Sequence, residues 1–114
     1  MITEIEVTVG DTGITLSGQL NGGGLTTLAG CTVTLSLLGV DDSDELRLTG
    51  KNVVVNQAAT VTDSANRRVS YKLTTAVAAR ARTIIRWTVA LPASAGNISF
   101  PGKKSDQTVL IINP

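Results

Sequence analysis

Cys31, Val33, Leu35 and Leu37 alternate with Thr32, Thr34 and Ser36, and this period of two constrains the fold more than any other feature of the chain. Successive side chains of a strand point to opposite faces, so such a row sets one face against a core and leaves the other wet. β-branched Thr suits the wet face of a pleated sheet. The pattern recurs: Ile5, Val7 and Val9 against Glu4, Glu6 and Thr8; Ile14, Leu16, Gly18 and Leu20 against Thr15, Ser17 and Gln19; Ile85, Trp87, Val89 and Leu91 against Ile84, Arg86, Thr88 and Ala90. Shorter β candidates are Leu46-Arg47-Leu48, Val53-Val54-Val55, Ala59 to Thr62, Val69 to Leu73, Ile98 to Phe100 and Thr108 to Ile112.

Turn chemistry separates these runs. Gly10-Asp11-Thr12-Gly13, Asn21-Gly22-Gly23-Gly24, Gly50-Lys51-Asn52, Asp63-Ser64-Ala65-Asn66 and Pro101-Gly102 supply residues that tolerate tight or left-handed backbone. Thr74 or Thr75 is an acceptable N-cap for one helical turn from Ala76 to Ala81, and Pro92 stops the strand before it. About seven to nine short strands with at most one helical turn predict an all-β, antiparallel two-layer sandwich. The long crossovers of a parallel sheet are missing.

With 114 residues the chain is expected to form one domain spanning residues 1–114, burying roughly 65% of its unfolded surface. Hydrophobic residues are 42% of the chain and aromatics only 3%. Val, Leu, Ile and Ala must therefore fill the interior, with Trp87, Phe100 and Tyr71 as its only large rings. The single Cys31 sits in an apolar alternation and reads as a small buried hydrophobe. No basic and then apolar leader follows Met1, which predicts no secretory signal, and no run approaches the roughly 18 apolar residues of a membrane helix.

Chemistry is hard to place on this chain. Without any His, a Ser or Cys nucleophile would need a carboxylate or Lys as its base, and no strand-turn-helix nucleophile elbow is present. Glu4 and Glu6 share a strand face but read as its wet side. The glycine loop at 21–24 lacks the following helix that phosphate binding uses. The acidic run Asp41-Asp42-Ser43-Asp44-Glu45 lacks the alternating ligands, central Gly and distal Glu of a calcium loop, so it reads as a solvated hairpin tip. We expect no catalytic residues, metal or cofactor.

Charge is unevenly spread. Residues 1–50 hold seven acids and one base, for −6, and residues 51–114 hold nine bases and two acids, for +7. If folding keeps these halves apart, neighbouring copies have complementary surfaces; if a sandwich interleaves them, the asymmetry disappears. Arg67-Arg68, Lys72, Arg80, Arg82, Arg86 and Lys103-Lys104 offer phosphate contacts, but stacking on nucleic-acid bases or sugars needs exposed rings, which are scarce here. Nucleic-acid or carbohydrate binding is the alternative reading.

The order of the motifs resembles a family. Val9-Gly10-Asp11-Thr12-Gly13, Leu16 to Leu20, and Leu28-Ala29-Gly30-Cys31-Thr32-Val33-Thr34-Leu35 follow its Gly-Asp-Thr turn, loop and Leu-x-Gly-x-Thr-Val strand. Ala59-Thr60-Val61-Thr62-Asp63 with Arg68-Val69-Ser70-Tyr71, Arg86-Trp87-Thr88-Val89 and Phe100-Pro101 follow its later stretches. This resembles the immunoglobulin-like virion modules of tailed bacteriophages, including the N-terminal domain of siphophage upper baseplate proteins. The resemblance implies an immunoglobulin-like sandwich without catalysis, synthesised in the host cytoplasm and built into the virion as a capsid decoration or cement protein or a tail or baseplate component. Its partners would be the major capsid protein or tail and baseplate proteins and copies of itself, with no membrane. The candidate contacts are the acidic tip Asp41, Asp42, Asp44 and Glu45, the bases Arg80, Arg82 and Arg86, and the terminal strand through Thr108, Leu110 and Ile112.

Overall fold

A computed structural model describes residues 3–8, 13–22, 24–41, 47–52, 54–73, 81–101 and 108–113. Among these residues nine strands follow one another: β1 (Thr3–Thr8), β2 (Thr15–Gln19), β3 (Thr32–Gly39), β4 (Val54–Ala58), β5 (Thr60–Asp63), β6 (Arg68–Lys72), β7 (Ala81–Ala90), β8 (Asn97–Phe100) and β9 (Thr108–Asn113). They build two sheets. The larger has six strands ordered β1-β9-β7-β3-β4, with β8 also on β7, and the smaller is β2-β6-β5.

The long strand β7 organises the large sheet. One flank pairs with β3 from Thr83↔Gly39 to Ala90↔Thr32. The other flank is shared: Ala81–Ile84 pairs with β9, and Trp87–Ala90 pairs with β8. The small sheet matches the B-E-D layer of an immunoglobulin-like sandwich, and β4-β3-β7 with β8 and β9 match C′-C-F-G.

The expected sandwich is present, but it is not wholly antiparallel. β1 joins β9 in parallel, in register from Thr3↔Thr108 to Thr8↔Asn113. The crossover between them is the rest of the domain, so no local helix is needed. Of the expected strand Leu46-Arg47-Leu48, Leu46 lies outside the described residues, Arg47 is in no strand and Leu48 makes an isolated bridge to Val40. The helical turn expected at 76–81 is overturned at Ala81, which opens β7, while 74–80 lie outside the described residues. The 3-10 turn among the described residues is Pro92–Ser94, where proline ends β7.

The inward rows predicted from alternation meet between the sheets. Leu16, Leu20, Val33, Leu35, Leu37, Val69, Ile85, Trp87, Val89, Phe100, Leu110 and Ile112 form one buried cluster. Each large aliphatic side chain buried there contributes about 1.5–3 kcal/mol. Trp87 bridges the layers: a Cβ at Gly18 on β2 would stand 3.3 Å from the indole Nε1. Gly39 is required for a similar reason. A Cβ there would run into the Lys51 carbonyl oxygen, because the connection after β3 folds back over its end. Asn52 Oδ1 accepts from Gly39 N at 3.3 Å and Gly39 O accepts from Thr49 N at 2.9 Å, which hold that crossing in place.

One end of the sandwich is tied by a single arginine. Arg67, with φ of 55°, donates from Nε to Leu20 O at 3.1 Å, from Nη1 to Thr26 O at 3.3 Å and from Nη2 to Asn21 Oδ1 at 3.2 Å. Beside it, Asp63 accepts from Asn66 N at 3.1 Å and from Asn66 Nδ2 at 2.7 Å. These bonds favour the ionised carboxylate, led by the Asn66 side chain, and hold Asp63 below the usual carboxylate range.

Candidate docking face

The outward rows of the large sheet follow from the register. Glu4 and Glu6 on β1 stand beside Val109 and Ile111 on β9. Ile111 and Val109 stand beside Arg82 and Ile84 on β7. Ile84 and Arg86 then stand beside Leu38 and Ser36 on β3. On this face Val40, Ile84 and Val109 form a second buried apolar cluster, with Leu38 and Ile111 packed against it. Both faces of β7 and β9 therefore carry apolar side chains.

Towards β4 the apolar strip comes into the open. Leu48 is 55% exposed and Val55 is 49% exposed. Leu48 reaches this face through its bridge to Val40. Val55 reaches it through a bulge, where the pairing of β3 with β4 shifts between Leu35 and Leu37. Ser36 locks that bulge: its hydroxyl accepts from Asn56 N at 3.0 Å and donates to Asn56 Oδ1 at 3.4 Å.

Charge on the face is partly paired. Arg82 reaches over β9 to Glu4 Oε1 at 3.8 Å, while its buried Nε has no hydrogen-bond partner. Arg86, half-buried beside Ser36, has no ion pair among the described residues. Ser36 lies between Arg86 on β7 and Asn56, the residue after Val55 on β4, while Leu48 lies beyond the end of β3, opposite Val40. The outward rows of the small sheet are Thr15, Ser17 and Gln19, Arg68, Ser70 and Lys72, and Thr60, Thr62 and, past the bulge in β5, Asp63 opposite Arg68. That face is entirely polar.

The structure sorts the candidate contacts. Arg82 and Arg86 lie four apart on β7, on one face. Thr108 opens β9, half-buried opposite Thr3. Leu110 and Ile112 are 0% exposed, which removes them as contacts. Their strand is no edge, because β1 covers one flank and β7 the other. Asp41 is half-buried and accepts from Arg47 N at 3.2 Å, so its carboxylate clasps its own loop. Asp42, Asp44, Glu45 and Arg80 lie outside the described residues.

Sequence reasoning passed over Leu48, Val55 and Leu38. A signal was available in the unbroken apolar runs Val109-Leu110-Ile111-Ile112 and Ile84-Ile85, since a strand covered on both faces loses its alternation. The separation of acidic and basic halves does not survive on this sheet: Glu4 from one half pairs with Arg82 from the other. Among the described residues no three His, Cys, Asp or Glu side chains gather as a metal site. No protein-family model matches the chain, and neither a curated protein nor a solved structure does.

Proposed function

We propose that this chain is a non-enzymatic structural protein of a tailed-bacteriophage particle, attached through the outer face of its large sheet. The observation that carries the docking is that exposed Leu48 and Val55 share that face with Arg86, which has no ion pair among the described residues. The virion setting rests on the ordered likeness to phage immunoglobulin-like modules from Gly10-Asp11-Thr12 to Phe100-Pro101. An apolar strip with one cation suits a protein partner presenting a carboxylate beside its own apolar surface. Many copies on a symmetric lattice would stabilise the particle by binding only its assembled state.

The test is to label the chain and locate it on purified particles. Hundreds of copies on heads, with fragile heads when it is omitted, identify a capsid decoration or cement protein. A few copies at the tail tip, with an adsorption defect, identify a baseplate component. Absence from intact particles, or turnover of a substrate by the purified chain, defeats the reading.

A further inference from the structure

Asparagine followed by glycine is the dipeptide most open to attack by its own backbone, and this chain has one. Asn21 precedes Gly22, whereas Asn52, Asn56, Asn66 and Asn97 precede Val, Gln, Arg and Ile, and Asn113 precedes Pro114, which has no N–H. A Cβ on the following residue shields the attacking nitrogen. At Gly22 there is no such shield, and the space a Cβ would fill is open. Both residues are exposed, and no hydrogen bond engages the Gly22 N–H among the described residues. Gly22 O is held by Leu25 N at 3.1 Å and Gly22 φ is 116°, so the turn itself is defined.

The environment of Asn21 Oδ1 adds a chemical bias. Arg67 Nη2 donates to this oxygen at 3.2 Å, and Arg67 is itself fixed by Leu20 O and Thr26 O. A fixed cationic donor on a carbonyl oxygen stabilises charge that develops there. We propose that Asn21 is a site of non-enzymatic deamidation, promoted by Arg67 and directed by it towards aspartate.

The steps balance without an added reagent other than water. Gly22 N gives up its proton to hydroxide and bonds to Asn21 Cγ, placing negative charge on Oδ1 under Nη2. Oδ1 re-forms its double bond as the Cγ–Nδ2 bond breaks, Nδ2 takes a proton from water and leaves as ammonia, the hydroxide is regenerated, and a five-membered imide remains. Water then adds to one of its two carbonyl carbons and breaks that carbon's bond to nitrogen. Addition at the backbone carbonyl gives isoaspartate; addition at Cγ gives aspartate with the ordinary main chain. Arg67 polarises Cγ, so the folded protein favours aspartate, and its new carboxylate forms a charge-assisted bond to the same guanidinium. Each event lowers the net charge from +1 to zero. This inference stands apart from the virion reading.

The experiment holds the full chain in mildly alkaline buffer and follows the exchange of amide for carboxyl by intact mass and peptide mapping, with aspartate and isoaspartate resolved. The expected result is conversion at residue 21 ahead of every other asparagine, with a larger aspartate share in the native protein than in urea. Arg67→Gln should slow it roughly three- to tenfold, less than an enzyme's oxyanion donor because this one is exposed. The native-against-urea ratio needs no variant, so a misfolded Arg67→Gln leaves the test intact. No conversion at Asn21, an unchanged rate in folded Arg67→Gln, or the same product ratio with and without urea overturns the proposal.

Discussion

The outer faces of the two sheets are opposites. On β2, β6 and β5 every outward residue is polar or charged, whereas on β9, β7 and β3 the outward rows carry their own buried apolar cluster. Alternation has the same meaning on both sheets, that one row goes inward. What differs is the second row, which on the small sheet meets water and on the large sheet is covered near Ile84 and Val109 and open near Val55 and Leu48. Among the described residues Leu48 and Val55 are the aliphatic side chains that this face leaves open to solvent, which is why the proposed docking is placed there.

The comparison breaks most sharply at its support. Gly39→Ala pushes a methyl into the Lys51 carbonyl under the large sheet and should cost more than about 3 kcal/mol in urea unfolding. A near-neutral result would mean that the fold-back at 49–52 yields easily. Next, Ile84→Ala should cost about 2–4 kcal/mol although it lies on an outer face, while Ser17→Ala on the small sheet should stay within about 0.5 kcal/mol. Equal costs would erase the difference between the faces.

Arg86→Glu tests the docking side of the contrast. Attachment to particles should fall by roughly tenfold, about 1.4 kcal/mol, with the thermal midpoint barely moved; unchanged attachment places the contact elsewhere. Glu4→Gln removes the ion pair with partly exposed Arg82 and should cost at most about 0.5 kcal/mol, less in high salt. The smallest effect belongs to Asp63. Its folded pKa is lowered, so its contribution is complete above the ordinary value of 3.8 and is lost as pH falls through the lower folded value. Thermal midpoints measured from neutral to strongly acidic pH should show a small acid loss that Asp63→Asn removes.

Much of the core was legible. Val33, Leu35 and Leu37, and Ile85, Trp87 and Val89, occupy the inward rows that their spacing requires. Pro92 does end β7, and the Asp63-Ser64-Ala65-Asn66 turn does join β5 to β6. The terminal strand was misplaced. Thr108, Leu110 and Ile112 were expected among the docking contacts, yet Leu110 and Ile112 lie in the core, because a strand apolar on both faces is covered on both. Arg67 gave no sign in the sequence of its three bonds to the loop after β2, since contacts between residues more than forty apart leave no local pattern.

Composition and periodicity by themselves determined that this chain forms sheets and which side chains β2, β3 and β7 turn inward, because those properties depend on steric preferences of neighbouring residues. Only the tertiary structure decided that β1 lies parallel to β9, that Glu4 meets Arg82, and that Val55 and Leu48 come to the surface of the large sheet. Alternation selects a face and is silent about neighbours. Which strands lie side by side is chosen when distant segments close one core together, and the outer surface inherits that choice.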